Sequence, residues 1–274
     1  MSRPQKRIVA GLLQLEGLSE RKACNLLKLS RSVCRYLSKK RSDHELRVAL
    51  KKLGYKHRRY GYRRLYPRLR KVYKVNVKKV YRLYREEGLK IRIKRSKKRS
   101  HLVVKSPLQV PEQMNIRWSM DFVSDNISTD RRRFRVLNII DDFSRECLGM
   151  DVYFSIPSHR VISCLERIFS IRDKPKQIVM DNGPEFTSNV FISWASKQGI
   201  DLHFIDKGKP TQNAFVESFN GKFRDECLNE NWFNNIDEAK QVIEEWRIEY
   251  NTERPHSALG NCTPKEYRLK NQAA

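Results

Sequence analysis

Three acidic residues lie where a carboxylate is costly unless something compensates its charge. Asp121 lies inside the strand-like segment WSMDFV, Asp181 ends the apolar run KQIVMD, and Glu217 lies within AFVESFNGKF. A carboxylate inside a sheet strand destabilises the fold by several kcal/mol if its charge is left uncompensated. A divalent cation compensates it well, and hard oxygen ligands suit Mg²⁺. These three acids are therefore candidate ligands of a catalytic metal.

Residues 182–184, Asn-Gly-Pro, indicate how Asp181 reaches the edge of a sheet. They let the chain turn sharply as the strand ends. The Asp181 side chain is then expected at the carboxyl edge of the sheet, where sites in α/β layers form. Each acid also has a structural alternative. Asp121 could face solvent, Asp181 could be a turn residue, and Glu217 could be a surface acid of a helix.

The helix that carries Glu217 predicts a polar stripe beside an apolar one. Residues three, four and seven positions after Glu217 share its face, and they are Asn220, Gly221 and Arg224. The phenylalanines at 215, 219 and 223 lie on another stripe that can pack on a sheet. Gly221 leaves room for DNA to come close, and Arg224 is placed to bind a phosphate next to the metal site.

The elements around these acids predict a mixed sheet. The segments RWSMDFVSD, RFRVLNIIDDFS and CLGMDVYFSI predict three strands with short connections, which suggests an antiparallel meander. A helix, the strand KQIVMD, a helix ending at Gly199, the strand IDLHFID and the Glu217 helix follow. The order β-β-β-α-β-α-β-α implies helices on both faces. The loop 206–213 either closes over DNA ends or is a plain connector.

The basic charge of the chain is confined to its first part. Residues 1–100 contain 34 Lys and Arg against 6 Asp and Glu, whereas residues 101–274 contain 23 against 25. A polyphosphate partner fits this distribution, because each neutralised phosphate releases condensed counterions. The chain shows no secretory signal and no apolar run that could span a membrane, and its six cysteines form no C-x-x-C pair. These features indicate a reduced, cytoplasmic protein.

Residues 19–39 predict two short helices with a tight turn between them. Ser19 and Ser30 are expected to cap the helices, which matches a helix-turn-helix unit or an ordinary helical hairpin. In a helix-turn-helix the second helix would present three side chains to the DNA groove. These are Arg31, Ser32 and Arg35.

Residues 43–100 predict a second basic helical unit. One amphipathic helix is expected to end at Gly54, and another, ending at Gly88, is expected to bury Tyr81 and Tyr84. The basic stretch 92–99 is expected to be a linker along a phosphate backbone. Further DNA contacts are expected from five residues of this unit and three of the Glu217 helix: Arg63, Arg64, Lys78, Lys79, Arg82, Asn220, Lys222 and Arg224.

The acids and their spacing resemble a known enzyme group. Between Asp181 and Glu217 stand 35 residues, and Arg224 lies seven positions after the glutamate. This resembles the D…D-35-E signature of retroviral integrases and insertion-sequence transposases. WSMDF, DNGPEF and AFVESFNGKFRDECL resemble the motifs of the three acids, and YNTERPHSALGNCTPKEY the C-terminal box. The resemblance covers about 45 to 270 and is nearest to the second-frame product of elements that encode transposase in two overlapping frames.

The resemblance implies a ribonuclease H-like mixed sheet with flanking helices, preceded by all-α helix-turn-helix DNA-binding units. It also implies that Asp121 bridges two Mg²⁺ ions, for which Mn²⁺ could substitute, while Asp181 and Glu217 each hold one. The implied reaction is cleavage and transfer of DNA strands without a covalent protein intermediate. The implied partners are double-stranded DNA of element ends and target, further copies of this chain on DNA, and an upstream-frame product. The expected location is the bacterial cytoplasm, at the nucleoid.

Four segments are expected. Residues 1–42 would form a helix-turn-helix, 43–104 a second DNA-binding region with a basic linker, 105–228 the catalytic core, and 229–274 a helical segment that completes it. Two other functions stay open: a DNA-binding regulator with an inactive core, and a metal-dependent nuclease of the same fold. Asp141 and Asp142 are interpreted as structural, and Glu185 has no role that the spacing requires.

Overall fold

The structure is a computed structural model that describes residues 1–36, 42–91, 110–206 and 210–272. It contains two compact units, residues 1–45 and 46–274. Within the described ranges, none of the helices has the length and apolar character needed to cross a bilayer. The expected linker at 92–99 and residues 207–209 of the loop before the Glu217 helix lie outside these ranges.

The first unit contains three helices, α1 (Arg3–Leu15), α2 (Glu20–Leu26) and α3 (Arg31–Cys34). The predicted caps are confirmed: the Ser19 hydroxyl accepts from the backbone N–H of the third residue of α2, and Ser30 does the same for α3. Helix α1 was not predicted. The structure buries only Ala10 of this helix.

Three more helices open the second unit, α4 (His44–Lys56), α5 (Tyr62–Val72) and α6 (Val77–Glu86). The prediction that α4 ends at Gly54 is wrong, because the helix continues two residues further. A Cβ at position 54 would lie 3.1 Å from the side chain of Leu89. Glycine is therefore used here for close packing rather than to stop a helix.

Leu50, Leu65 and Leu83 are fully buried and join α4, α5 and α6 into one apolar cluster. Tyr84 belongs to this cluster, as predicted. Tyr81 does not: it is 43% exposed, and its ring lies against that of Tyr62. Gly88 follows α6 with a φ of 68°, the left-handed conformation expected beyond a helix end.

The sheet contains β1 (Arg117–Asn126), β2 (Arg133–Asp141), β3 (Cys147–Tyr153), β4 (Gln177–Met180) and β5 (Asp201–Phe204). Its spatial order is β3-β2-β1-β4-β5. The pairs β1–β2 and β2–β3 are antiparallel, while β1–β4 and β4–β5 are parallel. The predicted meander and mixed sheet are therefore confirmed.

Helices cover both faces of the sheet. On one face lie α7 (Ser158–Phe169) and α9 (Asn189–Gln198), whose Val161 and Phe191 pack with Trp118 and Met120 of β1. On the other lie α10 (Ala214–Glu226) and α11 (Ile236–Thr252), whose residues pack with Val123 of β1. The one-turn helix α8 (Pro184–Thr187) precedes α9, and α12 (Pro264–Gln272) follows α11.

Candidate active site

Asp121 lies in the middle of β1, on the face that α10 covers. Odd-numbered residues of the strand share this face, since Val123 packs in the same apolar cluster as α10. One carboxylate oxygen, Oδ1, accepts from the N–H of Phe122 at 2.8 Å, and Oδ2 accepts from the Asn220 amide at 2.7 Å. Both oxygens are therefore oriented by neighbouring groups.

The electrostatics of Asp121 show that its charge is poorly compensated in the protein alone. Burial, together with the nearby charges of Asp181 and Glu217, raises the pKa of its carboxyl to about 6, although its hydrogen bonds act to lower the pKa. Asp121 thus interacts electrostatically with both of the other acids predicted from sequence. In the described part of the chain, the carboxylate oxygens of the three acids do not all lie within 4.8 Å of one another.

Asp181 follows β4 directly, as the sequence predicts. Its Oδ1 accepts from the N–H of Gly183 at 3.1 Å. A Cβ at position 183 would lie 3.1 Å from Oδ1 of Asp181 and 3.1 Å from Oε2 of Glu185. The glycine therefore leaves room for two carboxylates beside the turn. The Asn182 amide donates to the carbonyl of Ile205 at 2.7 Å and ties the turn to the chain that follows β5.

Glu217 is exposed in the first turn of α10. The start of this helix is anchored by Asn213, which is buried and donates to the carbonyl of Met120, the residue before Asp121. The helix therefore enters the site from beside β1. Phe219 and Phe223 are buried on the sheet as predicted, whereas Phe215 is only partly buried.

Asn220 has a second contact that the sequence reasoning missed. Its Oδ1 accepts from the side-chain amide of Asn138 at 2.7 Å. Asn138 pairs with Asp121 across β1 and β2, and it is fully buried. The two amides form a chain that ends on Asp121, so Asn220 orients this acid. Its expected contact with DNA stays a prediction. An asparagine within the apolar run VLNIID was the available signal.

Glu185 forms an ion pair with Arg135 of β2. The Arg135 guanidinium also lies 4.0 Å from the ring centre of Phe122, so Glu185 fixes a cation beside the strand that carries Asp121. Asp141 and Asp142 are each 1% exposed. Asp142 accepts from the Ser119 hydroxyl at 2.7 Å and from the Arg117 guanidinium at 2.6 Å.

Asp141 accepts from the hydroxyl and the N–H of Ser144, at 2.8 and 2.7 Å. These contacts agree with the structural interpretation of Asp141 and Asp142.

Arg224 is exposed and donates to the carbonyl of Ser124 at 2.9 Å. Lys222, by contrast, faces inward: burial and the nearby Arg254 lower its pKa to about 8, although Glu226 opposes this. Arg64 donates to Glu226 at 2.7 Å, and burial lowers the pKa of its guanidinium. Arg64 and Lys222 therefore belong to one charge cluster with Glu226 and Arg254, although the Arg64 side chain is 37% exposed. The expected DNA contacts of these two residues stay predictions.

The other residues expected at DNA lie at the surface or near it. Arg35 forms an ion pair with Glu20, the first residue of α2. Arg82 lies within 3.4 Å of Glu86 one turn on. Six side chains of this set are exposed: Arg31, Ser32, Arg35, Arg63, Lys78 and Arg82. Lys79 is partly buried.

Comparison with known families agrees with this geometry. Two family models described as an integrase core domain match residues 111–210 and 198–264. A model described as an HTH-like domain matches residues 40–97, the second basic helical unit rather than the first. The integrase matches span the sheet, all three acids and the whole of α11.

Relatives and solved structures extend this agreement. The 31.7 kDa protein of insertion element IS407 from Burkholderia multivorans is 45% identical over 259 residues, which cover 94% of this chain and 93% of the relative. The transposase of IS904 from Lactococcus lactis is 32% identical, covering 48% of this chain and 53% of the relative.

A chain of a simian T-cell lymphotropic virus intasome in complex with a PP2A regulatory subunit shares the fold, with a TM-score of 0.50 and 17% identity over 71% of this chain and 67% of that chain. The family matches and the insertion-element relatives show that the chain belongs to the insertion-element transposases of the retroviral integrase-like superfamily.

Proposed function

We propose that this chain cuts and joins DNA strands at the ends of its insertion element, using Asp121, Asp181 and Glu217 as ligands of Mg²⁺. One observation carries the assignment: a half-buried carboxylate in the middle of a central strand has its pKa raised to about 6 and interacts with the charges of two further acids. Such a site is unfavourable by itself and becomes favourable when a divalent cation neutralises it.

The donor set fits magnesium. All three side chains offer hard carboxylate oxygens, and the Asn220 amide holds Oδ2 of Asp121 while leaving lone pairs for a ligand. Two Mg²⁺ ions, or Mn²⁺ in their place, would supply a deprotonated nucleophile and stabilise charge on the phosphodiester. The protein itself orients Asp121 through Phe122 and Asn220, and Asp181 through Gly183.

The remaining parts of the chain would hold the DNA. We assign the exposed basic residues of α3, α5 and α6 to contacts with DNA phosphates. Of the four expected segments, the first two would bind the element ends and link them to the core, the third would catalyse the reaction, and the fourth would complete the core. Synapsis of two ends requires more than one copy of the chain, so we assign an oligomer on DNA, with an upstream-frame product as a further partner. We place this activity at the nucleoid in the bacterial cytoplasm.

The test is incubation of the purified chain with short duplexes carrying candidate element ends and Mg²⁺, with cleaved and joined products resolved on a gel. D121N, D181N and E217Q should each bind DNA and lose both products. D201N is the matched control, because Asp201 is an exposed acid at the start of β5, and it should retain both.

The outcome also separates the two other functions. Binding without any cleavage by the wild type would indicate a regulator. Cleavage without joining would indicate a nuclease. Joining at the normal rate by D181N would overturn the site assignment.

A further inference from the structure

Trp232 is the most exposed tryptophan of the chain and lies in the segment between α10 and α11. Its side chain is 84% exposed, whereas the next residue, Phe233, is 2% exposed and meets Phe134 edge to face at 5.7 Å. A large aromatic ring that points into solvent beside a buried one is a feature of binding surfaces, because its apolar area contributes nothing to the core.

The backbone around Trp232 is held on both sides. The N–H of Ser128, in the turn between β1 and β2, donates to the carbonyl of Phe233 at 2.7 Å. The Thr129 hydroxyl donates to the carbonyl of Asn234 at 2.8 Å, and the Asn231 amide donates to that of Cys227. With its main chain fixed, the ring retains only two side-chain torsions, so ordering it on a ligand costs little entropy.

Trp232 lines a cavity of about 770 Å³ together with polar and basic side chains and the apolar residues Ile127, Leu228 and Phe233. Arg131 and Arg224 both line it, and the Arg224 guanidinium is held by the Ser124 carbonyl at 2.9 Å. Asp125 is the acidic lining residue, and asparagines 126, 229 and 231 supply amide groups. An aromatic platform flanked by arginines and amides is suited to a nucleotide, which offers a ring to stack on and a phosphate to pair with.

Two lining residues of the cavity lie on the elements that carry Asp121 and Glu217. Asp125 lies four residues after Asp121 on β1, a distance of about 13 Å along a strand. Arg224 lies seven residues after Glu217 on α10, about 10 Å along a helix. Since one strand of B-form DNA advances about 3.4 Å per nucleotide, the cavity lies about three to four nucleotides from the phosphodiester that the acids would hold.

We propose that this cavity binds one unstacked nucleotide of the element end, with its base stacked on Trp232 and its phosphate on Arg224 or Arg131. This rests on the proposed function and adds to it a subsite that selects the DNA near the cut. The two arginines favour a nucleotide over a second copy of this chain as the occupant. A protein partner that covered Trp232 through an apolar contact would need an apolar surface around the ring, which the charged side chains of the cavity do not provide.

The test is a double-mutant cycle between Trp232 and the DNA. The wild type and W232A are titrated with end duplexes that carry an abasic site at each of the positions one to six from the cut. Stacking of a base on an aromatic ring implies that W232A binds the intact duplex about 5- to 150-fold more weakly. At one position, three or four nucleotides from the cut, the abasic site should weaken the wild type but not W232A.

Two variants complete the design. W232Y retains an aromatic face and should keep the position-specific effect, which a loss of folding in W232A cannot imitate. I171A is the control, because Ile171 is 77% exposed beyond the end of α7 and away from the cavity, and it should bind like the wild type.

Equal binding of the intact duplex by the wild type and W232A would overturn the proposal. So would a weaker binding by W232A that stays the same whichever position of the duplex is abasic. So would a change in oligomeric state without coupling to any base, which would assign Trp232 to a second copy of the chain. A wild type that shows the coupling but neither cuts nor joins DNA would instead refute the proposed function and leave the subsite standing.

Discussion

The substitution D121N is expected to stabilise the metal-free protein while it abolishes catalysis. Burial and two neighbouring acids raise the pKa of the Asp121 carboxyl from 3.8 to about 6. At about 1.36 kcal/mol per pKa unit, this difference corresponds to a penalty of about 3 kcal/mol for the ionised folded state. An amide of the same shape carries no charge and should avoid that penalty.

The hydrogen bonds around Asp121 can accommodate the substitution. The new amide can donate to Oδ1 of Asn220 if the Asn220 amide reverses. The Asn138 amide, which now donates to Asn220, must reverse as well. This turns its Oδ1, a buried atom that has no hydrogen-bond partner within the described chain, toward the Asn220 amide as an acceptor. The amide direction in the wild type is imposed by the carboxylate, which only accepts.

The pH dependence of the free energy of unfolding tests whether the ionised Asp121 carboxylate causes this penalty. Between about pH 3.8 and 6 the folded chain keeps a proton on Asp121 that the unfolded chain has released. Its free energy of unfolding therefore falls as pH rises through this window, and the penalty is complete above about pH 6. The gain from D121N should be present at pH 7.5 and absent near pH 4.

Thermal unfolding without metal measures this gain. For a unit of this size, 3 kcal/mol corresponds to a rise of roughly 6–12 °C in Tm, and partial solvation of Asp121 makes this an upper limit. D201N, at an exposed acid, should change Tm little at either pH. Added Mg²⁺ should raise the Tm of the wild type and not that of D121N. A D121N protein that is no more stable than the wild type at pH 7.5 would refute the reasoning.

Three further outcomes are expected. N220A removes the hydrogen bond to Oδ2 of Asp121. Because a hydrogen bond to a charged group contributes about 1.5–3 kcal/mol, N220A should slow strand joining roughly 10- to 150-fold in single-turnover assays. An unchanged rate would show that Asn220 does not position the acid. E226Q leaves the 2%-exposed Arg254 without its charged partner, so calorimetry should detect a loss of about 3–5 kcal/mol, and an unchanged Tm would contradict this. DNA affinity should fall with salt by about 0.9 log units per contacted phosphate for each tenfold rise, and a flat dependence in a filter-binding titration would exclude residues 1–100 as the phosphate-binding part.

Local signals were enough to predict the elements that carry the acids. Alternation of apolar residues located β1 around Asp121, and a buried run with a turn after it located β4 before Asp181. The caps Ser19, Ser30 and Gly199 were recognised because each acts on the backbone within a few residues of itself. Gly54 was misassigned because its neighbour Leu89 is distant in sequence.

The partners of the functional residues were decided by the tertiary structure. Asn138 meets Asn220, Glu185 meets Arg135, and Arg64 meets Glu226, pairs that are 82, 50 and 162 positions apart. A sequence pattern shows that a side chain is polar, but it does not show which distant group satisfies that side chain.

The sequence by itself determined the fold order, the three acids and their 35-residue spacing, because strand periodicity and turn chemistry act over a few residues. Only the tertiary structure decided that an amide chain orients Asp121 and that Lys222 faces inward. It also decided that Trp232 stands at the rim of a basic cavity. Burial and charge at a site depend on elements that the chain brings together from far apart, and that information appears only once the sheet and its helices have packed.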